Sequence, residues 1–197
     1  ARGRLLYSCG LDYYYECNLA EAEKMHVKGL RFAREYDLPL IMTLTSFGLA
    51  SIARHRGEVD QAQRYYLEVV KYPFHHNGRL AGPSIFFLLR IYDVMGQPEQ
   101  GRSLVEQYRA HALLVGRPYV LDQAAALEAY LALICGDMAT ALRWEIGGPR
   151  GDLYSSSDLI PMVRALILMA EGSENSLQRA SNSLDKMIEL AENEHRW

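Results

Sequence analysis

The chain has 197 residues, 49% hydrophobic and 23% charged, with a formal charge of −3 and a pI near 6.1. These values exclude a disordered polymer, which lacks apolar surface to bury, and a membrane-spanning chain, because runs such as Ser84 to Leu89 or Leu131 to Cys135 fall far short of the roughly 18 residues a crossing needs. They also leave no basic stripe to neutralise phosphates, so this segment is not expected to touch nucleic acid, and the absence of an opening signal peptide makes the cytoplasm the expected location.

In chain order the spacing predicts five helix pairs, at about 3–37, 40–74, 82–114, 118–148 and 157–195. Each is an apolar helix, a breaker, a polar residue and a second amphipathic helix. The breakers are Cys17-Asn18, Gly57, Gly96, Gly136 and Gly172, separated by 40, 39, 40 and 36 residues. A near-constant period of that size marks a repeat architecture. A left-handed residue ends the first helix of each pair, and the Asn, Glu or Asp after it can cap or charge the start of the second.

Five residues past the turn stands a small residue in four copies, Ala22, Ala62, Gly101 and Ala141. In the fifth it is Ala180, eight residues on, which predicts three extra residues in that turn. Seven residues before the turns stand Gly10, Ala50, Leu89, Ala129 and Ala165, and four before them Tyr13, Ala53, Tyr92, Ala132 and Leu168. Such positions let paired helices approach closely and fill the seam to the next pair. Between pairs the breakers are Asp37-Leu38-Pro39, Pro73 to Pro83, Val115 to Pro118 and Gly147 to Ser157. No alternating strand pattern of useful length occurs.

This arrangement resembles tetratricopeptide repeats, with a period longer than their usual 34 or so. More specifically, Tyr15, Glu16, Asn18, Leu19, Ala22 and Gly29 resemble a segment of the large ATP-dependent LuxR-family, MalT-like transcriptional regulators. Leu133, Gly136, Asp137, Ala141, Leu142 and Trp144 resemble a second such segment, and the stretch from Val163, Arg164 and Ala165 onward resembles the end of the family's repeat region. The resemblance implies a right-handed superhelix of about five antiparallel pairs, an all-α tetratricopeptide-like solenoid forming a single domain over 1–197.

It further implies the sensor region of a larger protein. A small-molecule inducer or a regulatory protein or peptide would bind it, and self-association and promoter activation would follow through domains outside this chain. ATP would be the cofactor of a missing upstream domain, since no GxxxxGK[ST] occurs here, and no cofactor is expected in the chain itself. The alternative is a generic tetratricopeptide scaffold that joins partner proteins and has no part in transcription.

Other constellations read as structural. Cys9, Cys17 and Cys135 form no CxxC pair and are expected to be free buried thiols. His26, His55, His75, His76, His111 and His195 lack metal-ligand spacing and are expected in exposed loops or the groove. The Ser155 to Ser157 run has no nucleophile motif around it, and Glu16, Glu21 and Glu23 read as a solvated helix face, so no enzymatic activity is expected. Trp144, on a second helix, reads as structural.

In stacked pairs the first helices line the concave side. Residues three or four apart on their inner stripes are Tyr7, Leu11 and Tyr14; Phe47, Ser51 and Arg54; Phe86, Arg90 and Asp93; Gln123, Ala126 and Tyr130; and Met162. Tyr7, Tyr14, Phe47, Arg54, Phe86, Arg90, Asp93, Gln123 and Tyr130 are the candidate groove residues, aromatic surface with interspersed hydrogen-bonding groups that suits a sugar or a peptide. The competing reading makes Phe47 and Phe86 core.

Overall fold

The computed structural model describes residues 2–72, 80–148 and 159–194. Ten α-helices and one 3-10 turn lie there, with no strand among the described residues. The contacts divide the chain into two units, Ala1–Val94 and Met95–Trp197. That boundary falls inside the third expected repeat.

The first unit holds α1 (Arg2–Tyr15), α2 (Leu19–Glu35), α3 (Pro39–His55), α4 (Val59–Val70) and α5 (Ala81–Val94). Each helix packs on the next, and α3 also touches α1. The second unit holds the 3-10 turn Pro98–Gly101, then α6 (Arg102–Val115), α7 (Pro118–Ile134), α8 (Met138–Gly147), α9 (Leu159–Glu171) and α10 (Glu174–Glu194). There α7 contacts α6, α8 and α9, while α10 rests on α9. Pro39 and Pro118 each open a helix, where their missing N–H costs nothing. No helix among the described residues is long and apolar enough to cross a membrane.

All five expected turn residues are left-handed, with φ of 58° at Cys17, 73° at Gly57, 68° at Gly96, 85° at Gly136 and 78° at Gly172. At Cys17 the amide of Asn18 donates to the Tyr13 carbonyl and that of Cys17 to the Tyr14 carbonyl. The same pair of bonds closes α3 at Gly57 and α7 at Gly136, satisfying carbonyls that a helix end would otherwise leave bare. The polar residue that follows starts the next helix: the Thr140 amide donates to Asp137 Oδ1 at 3.0 Å and the Glu21 amide to Asn18 Oδ1 at 3.4 Å. Glu58 occupies the corresponding position without a side-chain cap.

Cys17 is the one L-residue among those five turns, and its Cβ strains a left-handed backbone by about 1 kcal/mol. Cys17→Gly is therefore expected to raise stability by about that amount. Gly136→Ala should lower it by a similar ~1 kcal/mol, because a Cβ there meets nothing within 4 Å and the change isolates the backbone term. Urea unfolding of both variants measures it. Equal midpoints for the two would refute the strain argument.

The small residues behave as close-contact positions: Ala22, Ala62, Gly101 and Ala141 are buried, as are Gly10, Ala50, Leu89, Ala129 and Ala165. Gly29 belongs to this set, since a Cβ there would lie 2.7 Å from Thr45 Cγ2 on α3. The fifth turn corrects the expectation of three extra residues. α10 starts two residues after Gly172, the same interval as from Cys17 to α2, Gly57 to α4 and Gly136 to α8. What changes is the cap: Gly172 donates to the Leu168 carbonyl. α10 is then rolled so that Ser176 and Ala180 face inward and Leu177 is left exposed.

Candidate functional site

Side chains from four helices of the first unit converge around Arg54, in the last turn of α3. Its guanidinium carbon lies 4.6 Å from the centroid of the Phe87 ring on α5. Its Nη2 stands 3.4 Å from Nε2 of His55, and the His55 ring meets the Tyr14 ring of α1 edge-on at 5.5 Å. Behind them Tyr66 of α4 stacks on Phe87 with centroids 5.3 Å apart and receives Phe47 of α3 edge-on at 6.1 Å. On α5 the guanidinium of Arg90 lies 6.0 Å from the Phe86 ring, itself 5.4 Å from Phe87.

The electrostatics follow from this packing. Burial pushes the Tyr14 hydroxyl above the usual tyrosine range, and the neighbouring Arg54 opposes that shift. Burial likewise raises Tyr66, which has no exposed surface, against the pull of Arg54 and the Ser51 hydroxyl. Its hydroxyl makes no full hydrogen bond to either. His55 is held below the ordinary imidazole range by desolvation first and by Arg54 second, so it is neutral at neutral pH. The result is a cation on an aromatic floor, with hydroxyl and imidazole groups around it.

Of the groove candidates, Tyr14, Phe47 and Arg54 come together here, with Arg90 on the adjoining helix. Tyr7 lies one turn and more away on α1, half-buried, its ring 5.8 Å from His26. Asp93 is exposed on α5, and Leu11 and Met162 are half-buried.

Phe86, Gln123 and Tyr130 are corrections, being 0%, 0% and 5% exposed. Phe86 fills the core, and its neighbour Phe87 carries the face. Gln123 is core because its amide is satisfied internally: Tyr108 donates to its Oε1 at 2.7 Å, and its Nε2 donates to the Tyr119 hydroxyl at 3.0 Å. Burial drives Tyr108 far above the normal phenol range. Phe87, Tyr66 and His55 were absent from the expected stripe. Two adjacent phenylalanines signal that one points inward and one outward, but spacing does not say which.

The histidines and thiols also need correction. His26 and His111 are buried, at 1% and 3% exposure, in place of the expected loop or groove positions, while His55 is exposed. Cys17 is exposed at its turn, Cys9 and Cys135 are half-buried, and none of the three forms a disulfide. His75, His76, His195 and Ser155 to Ser157 lie outside the described residues. Among the described residues no group of three or more His, Cys, Asp or Glu side chains is placed to hold a metal ion. Trp144 is half-buried, with the Arg164 guanidinium 5.6 Å from its ring.

Two open depressions lie elsewhere, one along α2 between Ala20 and Arg31 and one where α1 meets the start of α3. Neither contains a candidate groove residue. Comparison of the chain with protein families, with curated proteins and with solved structures gave no match.

Proposed function

We propose that the chain is a sensing module: a right-handed, tetratricopeptide-like superhelix from a LuxR-family, MalT-like transcriptional regulator. In this reading an effector or regulatory protein engages the face formed by α1, α3 and α5, and domains outside the chain convert that into self-association and promoter activation. The chain itself acts by binding and carries out no catalysis.

The observation that carries the binding role is the Arg54 cluster, an exposed cation held on an aromatic surface where first helices of successive pairs meet. The regulator part rests on the resemblance. Its motif residues have clear folding duties: Asn18 and Asp137 cap helices, Gly136 turns the chain, and Ala22, Gly29 and Ala141 permit close packing. Those duties would serve any helix-pair repeat, which keeps the protein–protein scaffold as the second reading.

Promoter occupancy by the whole parent protein, with and without a candidate inducer, separates the two. The regulator reading expects inducer-dependent occupancy that Arg54→Gln or Arg90→Gln weakens at unchanged protein abundance. A parent sequence with no helix-turn-helix domain would leave only the scaffold. An unaltered response in both variants would remove the α1–α3–α5 face from sensing.

A further inference from the structure

We infer that the Arg54–Phe87 stack, with Arg90 over Phe86 beside it, receives the carboxylate side chains of an acidic polypeptide segment. This rests on the binding role proposed above for the same face and names the chemistry of the partner. The Phe87 ring lies against the guanidinium, and N–H groups at a guanidinium's edge form the planar fork that matches a carboxylate.

Among the described residues no carboxylate neutralises Arg54. Around its guanidinium are the Tyr14 and Tyr66 hydroxyls and the neutral His55 ring. Among the described residues neither Arg54 nor Arg90 has a carboxylate within ion-pair distance. Asp93, close along α5, makes no such pair with Arg90. The charge of the face is thus complementary to an anion and is left open on the exposed side of both arginines.

A polypeptide fits better than a small anion because the contacting groups come from three helices. Tyr14 is on α1, Arg54 and His55 on α3, and Arg90 on α5. An extended acidic segment can offer carboxylates to the arginines of both α3 and α5 and also lay an apolar side chain on the half-buried Phe47 and Phe87, a contact that phosphate or acetate lacks. Arginine on an aromatic floor keeps its charge while losing little water, which favours a carboxylate over bulk solvent.

Fluorescence anisotropy with the 197-residue chain tests this, using labelled peptides of alternating Glu and Leu. The companion probes replace every Glu by Gln or by phosphoserine, and free phosphate serves as competitor. Saturable binding of the Glu peptide is expected, with affinity at least about tenfold lower for the Gln peptide and for the Arg54→Gln variant. Arg90→Gln should give a smaller loss, and Arg54→Lys should recover part of the affinity.

Unchanged circular dichroism establishes that the variants are folded, and the Nε–H resonance of Arg54 should shift on titration. Equal binding of Glu and Gln peptides, preference for phosphoserine, full displacement by free phosphate, or an Arg54 resonance that stays put would each overturn the inference. If the acidic peptide fails to bind while Arg54→Gln still weakens the parent protein's inducer response, the partner chemistry is wrong and the sensing face stands.

Discussion

Arg179→Ala is expected to destabilise the C-terminal unit by about 3 kcal/mol, because it strands a buried carboxylate. Glu145 on α8 is only 3% exposed, and its Oε1 accepts a 2.6 Å bond from Arg179 Nη2 on α10. Among the described residues the other cation in reach, Arg164 on α9, holds its Nε 3.8 Å away. Removing Arg179 leaves that weaker contact to offset the desolvation of Glu145. Loss of the arginine costs little in its own right, since about half of its side chain is already in water.

Replacing both members, Glu145→Leu with Arg179→Leu, removes the charge together with the need to solvate it. That double variant should recover most of the lost stability. Residues 1–94 contain no tryptophan and Trp144 lies on α8, so tryptophan fluorescence in a urea titration follows the C-terminal unit while circular dichroism follows both. A fluorescence midpoint unchanged in Arg179→Ala, or a double variant worse than the single, would show that the pair contributes nothing of this kind.

This pairing joins residues 34 positions apart and was invisible in the sequence, as was most of what decides the candidate site. What could be read there was local. A left-handed φ at Gly57 or Gly136 and a cap at Asp137 are each fixed by interactions within about one helical turn. Hence the helix pairs and their turns were legible.

The inner stripe was not, because α3 and α7 are apolar almost all round and give no amphipathic signal of which side meets solvent. Gln123 on α7 looked like a polar groove residue in an apolar helix, and it takes Tyr108 of α6, together with Tyr119 one turn earlier on α7, to show it to be satisfied core. The same gap separates Phe86 from Phe87. The one-residue roll of α10 was misread for a related reason: spacing alone does not separate a longer turn from a differently capped one.

His26 is where burial reverses the reading of a titratable residue most sharply, and it carries the second large effect. Its ring sits on α2 in a slot made by two glycines. A Cβ at Gly10 of α1 would lie 2.7 Å from its Cε1, and one at Gly48 of α3 would lie 2.5 Å from its Nε2. Neither ring nitrogen has a hydrogen-bond partner among the described residues, and the titratable group in ring contact with it is Tyr7. Desolvation therefore presses its pKa from 6.5 down to about 4.

The folded pKa lies below the unfolded one, so the neutral ring is what folding requires. The stability it permits is complete above pH 6.5 and falls as pH drops from 6.5 towards 4, by about 3 kcal/mol in all. Carboxylates also titrate in this window, but they are common to wild type and His26→Leu. The difference between the two pH profiles isolates the histidine, with the variant losing less on acidification. Parallel profiles would mean that the ring is hydrated or protonated in the folded chain.

Gly48→Ala tests the slot itself. The added methyl would stand 2.5 Å from the buried His26 ring, which also lies against Gly10 of α1, and overpacking of this kind costs about 2 kcal/mol or more. Because the clash is with the imidazole, His26→Ala in the Gly48→Ala background should cost less than the sum of the single changes. Strict additivity would place the strain somewhere other than the ring.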